Sequence, residues 1–170
     1  PLYRGAWWEP RCGILNPAKL VRGMKKVVEG MGVNVYECSP VTEIKRDTSI
    51  HLKTPEGSLA ANKLVIATNA YSHLIPQLKR KQVPVFTHIV LTEPLSKKHF
   101  NEIRWQNRQG IEDARDLVHY YRLTIDNRLL MGGRDVSLAF GKNMDRDLNE
   151  KTFTGLEDDI WRTFPILKGI

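Results

Sequence analysis

The sequence predicts an α+β chain: the later part of a nucleotide-binding α/β layer, then an antiparallel sheet with a helix beside it. Three observations carry this. An amphipathic helix is written over Pro17 to Met31. The run Leu64 to Ala67 is apolar without alternation, as expected for a central strand covered on both faces. Finally, Val118 to Thr124 and Arg128 to Gly133 form a hairpin around Ile125-Asp126-Asn127, and a helix follows over Leu148 to Thr163.

Taken in order, the first helix opens on Asn16 as N-cap, with Pro17 at the first helical position, and stops at Gly32. Leu20, Val21, Met24, Val27, Val28 and Met31 fall on one face, which reads as a core face. A short strand is expected at Val33 to Glu37. Val41 to Arg46, Ser49 to Thr54 and Ser58 to Ala61 follow as an antiparallel excursion, with Pro55-Glu56-Gly57 as a turn. After Leu64 to Ala67 the texture changes near residues 74–82, and Val83 to Thr92 is a long β-rich segment. The last helix presents Leu148, Phe153, Leu156, Ile160, Trp161 and Phe164 on its apolar face. The division expected is 1–76 and 77–170, with residues 1–11 assignable to the second part.

The chain has 170 residues, 41% hydrophobic and 26% charged, enough for one ordinary domain and not the composition of a disordered chain. No apolar run approaches the roughly 20 residues that cross a bilayer, and no signal-peptide pattern opens the chain, which gives a cytoplasmic expectation. It begins with Pro1 and ends just after an apolar segment, so an interior fragment of a longer protein is expected. Cys12 and Cys38 read as reduced, buried thiols. The five histidines show no metal-ligand spacing. A net charge of +7 permits attraction to nucleic acid, but the cations are scattered and Lys79-Arg80-Lys81 reads as a solvated loop.

Chemistry is sought first at strand ends, where open α/β sheets bind ligands. Thr68-Asn69-Ala70 occupies that place, with small and polar groups; an ordinary strand end explains it as well. Gly132-Gly133-Arg134 ends the hairpin, where two glycines allow close passage of a ligand or simply a bulge. Alternation puts Tyr120 and Arg122 on one face and Tyr121 on the other. Arg122 there is suited to a carboxylate, or to an ordinary ion pair. No GxGxxG, P-loop, GxSxG or HExxH is present, and no catalytic base suggests itself.

In order, the stretches GILNPAKLVRG (13–23), ECSPVTEI (37–44), KLVIATNAYS (63–72), LTEPL (91–95), YYRLT (120–124), RLLMGG (128–133) and TFPIL (163–167) resemble the FAD-dependent oxidases of the D-amino-acid-oxidase-like superfamily. The likeness is nearest to the branch containing gamma-glutamylputrescine oxidase and spans the whole chain. The resemblance implies part of a Rossmann-like FAD domain plus an antiparallel substrate-domain sheet with its flanking helix. It implies an enzyme moving a hydride from the carbon bearing an amine to the flavin, giving an imine and, with oxygen, peroxide. By position, Val41 corresponds to the backbone at the adenine end of FAD, and Ala67, Thr68 and Asn69 to the segment beside the cofactor. Gly132 and Gly133 correspond to the sheet edge near flavin or substrate. Tyr120, Arg122 and Trp7, with Trp8, are candidates for the pocket of a small amine or amino-acid substrate.

This sequence departs from the family pattern in lacking the glycine-rich loop that seats the pyrophosphate. The 170 residues alone are therefore expected to bind FAD weakly or not at all, and not to turn over. A flavin dehydrogenase passing electrons to a carrier fits the same residues, and a non-catalytic basic binding module is the reading from another class. Association into a homo-oligomer is left open.

Overall fold

The structure, a computed structural model, describes residues 2–138 and 148–170. They form two compact units, one of residues 15–68 and one of residues 2–14 with 69–170. The expected mixture of helices and antiparallel sheets is what is observed.

In the smaller unit, α1 runs Pro17–Gly30. The Asn16 side chain accepts the Lys19 N–H at 3.0 Å, satisfying one orphan amide of the first turn, and Gly32 leaves the helix at φ +88°. Three strands follow, β1 (Glu43–Arg46), β2 (Ile50–Lys53) and β3 (Ser58–Ala61), in an antiparallel sheet of order β1-β2-β3. Asp47 closes the first turn by accepting the Ser49 N–H at 3.0 Å, and the Thr54 N–H donates to the Gly57 carbonyl at 2.8 Å across the second.

Three expectations about the elements of this unit fail, for related reasons. The apolar face of α1 is not a core face: Leu20, Val21, Met24, Val27 and Met31 are exposed and no residue of the helix is buried. Periodicity shows that a helix has an apolar side; it does not supply the element that covers it. Residues 64–67 form no strand, with Val65 85% exposed, because a strand exists only with a ladder partner and no described segment pairs with them. Residues 33–37 likewise stay irregular, the Val33 N–H being spent on the Val28 carbonyl at 3.0 Å. The cysteines are free as expected, but Cys12 and Cys38 are exposed rather than buried: each lies in a segment without regular structure or neighbours to bury it.

The larger unit enters through two short 3-10 turns, Asn69–Leu74 and Pro76–Leu78, and the exposed loop of Lys79, Arg80 and Lys81. Its sheet has the order β4-β7-β6-β5, all neighbours antiparallel, from β4 (Val85–Leu91), β5 (Ile111–Glu112), β6 (Tyr120–Leu123) and β7 (Leu129–Leu138). The β6–β7 turn forms where Asp126-Asn127 predicts it. Asn127 adopts φ +67°, and the Thr124 N–H meets the Arg128 carbonyl at 2.9 Å. Between β4 and β5 lies a helix the periodicity did not announce, α2 (Lys97–Ile103). Its N-terminus is a capping box in which His99 replaces the usual Glu or Gln: the His99 N–H donates to Ser96 Oγ at 3.4 Å and the Ser96 N–H to His99 Nδ1 at 3.1 Å.

The last helix, α3 (Glu150–Thr163), begins at Asn149, whose side chain accepts the Thr152 N–H. Leu148 precedes this cap and is exposed, so it leaves the predicted apolar face. Leu156 and Ile160 pack on the inner face of the sheet with Tyr121, Leu123, Leu129, Met131, Leu95, Trp105 and Leu167. Trp105 stacks on Phe164 at 5.9 Å, and Tyr121 stands edge-on to both rings.

Candidate functional site

Strand register sorts the hairpin residues onto two faces. Tyr120 pairs with Gly132 and Gly132 with Ile89; Arg122 pairs with Leu130 and Leu130 with Leu91. These residues, with Glu112 opposite Tyr120, share the outer face, away from the core that takes Tyr121 and Met131. Ile89 and Leu91 are exposed on it, while Tyr120, Arg122 and Leu130 are half-buried. The alternation expected for Tyr120 and Arg122 is thus realised, on a surface that combines an aromatic ring, a cation and apolar side chains.

The two glycines have reasons within this chain. A Cβ on Gly132 would meet the Tyr120 Cζ, Cε2 and hydroxyl at 2.5–2.6 Å, so the ring lies down across Gly132 instead of standing off the sheet. Gly133 has φ +110°, and a Cβ there would collide with the Val118 carbonyl oxygen. It sits where β4 and β7 slip register, between Phe86 and His88. Arg134 follows at φ +72°.

The other candidates lie apart. Trp7 and Trp8 are exposed in the irregular N-terminal segment of the same unit, which is fastened to the core elsewhere: the Tyr121 hydroxyl donates to the Tyr3 hydroxyl at 2.7 Å. Burial, then the bond to Tyr3 and the negative charge of Asp113, pushes the Tyr121 phenol well above the usual tyrosine range. Asn69 opens the first 3-10 turn at φ +44°, next to exposed Ala67 and Thr68. Val41, Ala67 and Thr68 belong to the smaller unit, and Val41 is exposed.

Sequence reasoning missed a buried polar cluster behind the sheet. His119 Nε2 lies 2.9 Å from Asp159 Oδ2, which also accepts from Arg134 Nη1 at 2.5 Å. Arg134 donates again to the Gly155 carbonyl at 3.2 Å. Asp113 Oδ1 accepts the His119 N–H at 2.9 Å, and its Oδ2 pairs with Arg115 Nε at 3.0 Å. Burial pushes the Asp159 carboxyl up, but the hydrogen bonds from His119 and Arg134 outweigh it and hold the group below the usual carboxylate range. The one signal in the sequence was Gly155, a glycine inside a helical pattern.

Comparison with known proteins places this geometry. The chain is 33% identical over 170 residues to gamma-glutamylputrescine oxidoreductase of Escherichia coli K12, covering 99% of this chain and 38% of that protein. It is 31% identical over 154 residues to the probable oxidoreductase OrdL of Haemophilus influenzae, covering 84% of this chain and 36% of the relative. The chain therefore spans less than two fifths of the length of these relatives. Among solved structures it resembles glycine oxidase from Geobacillus kaustophilus with TM-score 0.64 at 19% identity, covering 86% of this chain and 37% of that one. L-proline dehydrogenase from P. horikoshii gives TM-score 0.65 at 17% identity, covering 89% and 40%. Both likenesses are of fold, and they agree with the α+β class expected from the sequence. The family model described as FAD dependent oxidoreductase matches residues 1–170, and the chain belongs to that DAO family of FAD-dependent enzymes.

Proposed function

We propose that the protein carrying this chain oxidises the C–N bond of an amine or amino acid. The observation that carries the reading is the family match along the whole chain. Bound FAD would supply the acceptor for a hydride from the carbon bearing the nitrogen, with an imine and, where oxygen is the final acceptor, hydrogen peroxide as products.

The chain's own residues then have distinct tasks. The outer face of the four-stranded sheet lies against the substrate. Tyr120, laid flat over Gly132, gives it a rigid apolar platform, and Arg122 offers two parallel N–H donors to an anionic end of the substrate. The packed inner face, with Leu129, Met131 and Leu156 essentially dry, holds that platform in place. Residues 1–76 are assigned to the FAD-binding part and 77–170 to the substrate part, with the first residues going to the latter. The Tyr3–Tyr121 hydrogen bond supports the last point.

The residues present fit one side of FAD only. Ala67, Thr68 and Asn69 are exposed, small or polar, and turn sharply at Asn69, which suits close passage of a cofactor. No glycine-rich loop for the pyrophosphate occurs in these 170 residues, so we assign them flanking contacts and no more.

The test is the full-length protein purified with FAD and offered amines and amino acids under air. Flavin bleaching by substrate with peroxide release is the expected result. Bleaching without peroxide, but with reduction of an added dye, would make the enzyme a dehydrogenase. Folded protein that cannot be reconstituted with FAD would overturn the reading. Arg122→Ala is expected to raise KM for carboxylate-bearing substrates at least tenfold, with a smaller effect on kcat.

A further inference from the structure

The outer face of the four-stranded sheet carries a carboxylate as well as a cation, and the pair narrows the class of substrate. The four strands hold two carboxylates, Glu112 of β5 and Asp135 of β7. Asp135 accepts the Thr152 hydroxyl at 2.6 Å. Glu112 is exposed and has no hydrogen-bond or ion-pair partner among the described residues. Its neighbour fixes its direction: Ile111 packs against the core, so alternation turns Glu112 outward. There it heads one cross-strand row, Glu112, Tyr120, Gly132 and Ile89. The Tyr120 ring lies across Gly132, towards β7, and leaves the β5 side of the row uncovered.

Arg122 stands diagonally from Glu112, one strand over and two residues along, a spacing of about 7–8 Å, yet the two side chains do not pair with each other. A small molecule on this face therefore meets an anion and a cation with an aromatic ring between them. A charge on an edge strand also discourages pairing between sheets, but either sign would serve that end. We propose that Glu112 selects substrates carrying a second, cationic nitrogen apart from the one that is oxidised: a diamine or a basic amino acid, in preference to a monoamine or an apolar amino acid. The proposal rests on the substrate-facing role given to this face. The carboxylate accepts from the ammonium, the Tyr120 ring lies under the carbon chain, and Arg122 takes a carboxylate where the substrate has one. The nitrogen whose carbon is oxidised must shed its proton before the hydride leaves, and a neighbouring carboxylate would hold that proton on. The ammonium at Glu112 is therefore the second nitrogen, which takes no part in the chemistry. Because Glu112 is exposed, the contact is worth about fivefold in affinity.

The test uses the full-length, FAD-bound protein and two matched pairs of probes, cadaverine against pentylamine and lysine against norleucine, each pair differing by the second nitrogen. Wild type and Glu112→Gln are compared by KM and kcat for flavin bleaching, and by calorimetric binding to the dithionite-reduced enzyme, in which no turnover occurs. In at least one pair, wild type is expected to favour the member with the second nitrogen about fivefold, in KM and in binding, and E112Q to lose that preference. Glu112→Lys is expected to reverse it, favouring aminocaproate over cadaverine. Equal preferences in wild type and E112Q, or equal weakening of both members of a pair, overturn the proposal and leave Glu112 an edge-strand charge. No bleaching by any probe counts against the oxidase reading alone, because the calorimetric comparison still decides the role of Glu112. Wild-type binding without preference for the second nitrogen overturns that role.

Discussion

Gly155→Ala sets two effects of known size against each other. Gly155 lies inside α3, where alanine is worth about 1 kcal/mol over glycine by helix propensity. Yet a Cβ there would sit 2.6 Å from Arg134 Cζ and 2.9 Å from Cδ, so the arginine must swing aside. It would take with it the bond to Asp159 at 2.5 Å and the one to the Gly155 carbonyl at 3.2 Å. A charged hydrogen bond contributes about 1.5–3 kcal/mol, discounted to about 1–2 because the arginine is partly exposed and Asp159 keeps His119. The single variant is therefore expected to be destabilised by no more than about 1 kcal/mol. In an Arg134→Ala background the three nearest atoms are gone, and the same change is expected to stabilise by about 1 kcal/mol. Denaturant unfolding of the four proteins gives a coupling of about 1–2 kcal/mol. Additive effects would refute the claim that glycine is present to admit Arg134.

Three further outcomes are expected. Gly133→Ala, at φ +110° and against the Val118 carbonyl, is expected to cost more than about 2 kcal/mol in urea unfolding, with loss of native expression as the extreme. The Tyr121 phenol, raised chiefly by burial, is expected to stay protonated in ultraviolet titration until the protein unfolds. Its contribution to stability is present below the unfolded tyrosine value of about 10 and is lost as pH climbs beyond it, and Tyr121→Phe removes that dependence. Cys12 and Cys38 are expected to react with a thiol reagent without denaturant, counted spectrophotometrically; a silent thiol would show that its segment is covered in the protein tested.

What could be read from sequence was local chemistry. Asn16-Pro17 started a helix, Asp126-Asn127 turned a hairpin, and alternation placed Tyr120 and Arg122 together. What could not be read depended on residues far along the chain. The apolar runs at α1 and 64–67 announced faces that need covering, and nothing in 170 residues tells which partner covers them. His119 meets Asp159 across 40 positions and Arg134 meets it across 25, separations at which no motif or periodicity operates. The helix α2 was missed for a smaller reason, a capping box completed by histidine in a segment of seven residues.

The positions 132–134 show how these two kinds of information meet. Read as a motif, the two glycines before Arg134 invite a ligand-approach reading or a bulge. The contacts separate them. Gly132 makes room on the outer face and thereby fixes the pose of Tyr120, so under the proposed function its effect on substrate would run through that ring. Gly133 makes room for the Val118 carbonyl within the sheet, where the ladder shifts register. Arg134 turns at positive φ, and its guanidinium reaches α3 beneath the sheet. Three consecutive residues therefore serve the outer surface, the sheet and the inner clasp in turn. A helix-interior glycine, a left-handed arginine and buried charges are each unfavourable on their own, and they coincide at one place because each makes the next possible. Changes to the platform are thereby expected to act on substrate binding and changes to the clasp on stability, and the strand that joins them is short enough for one to reach the other.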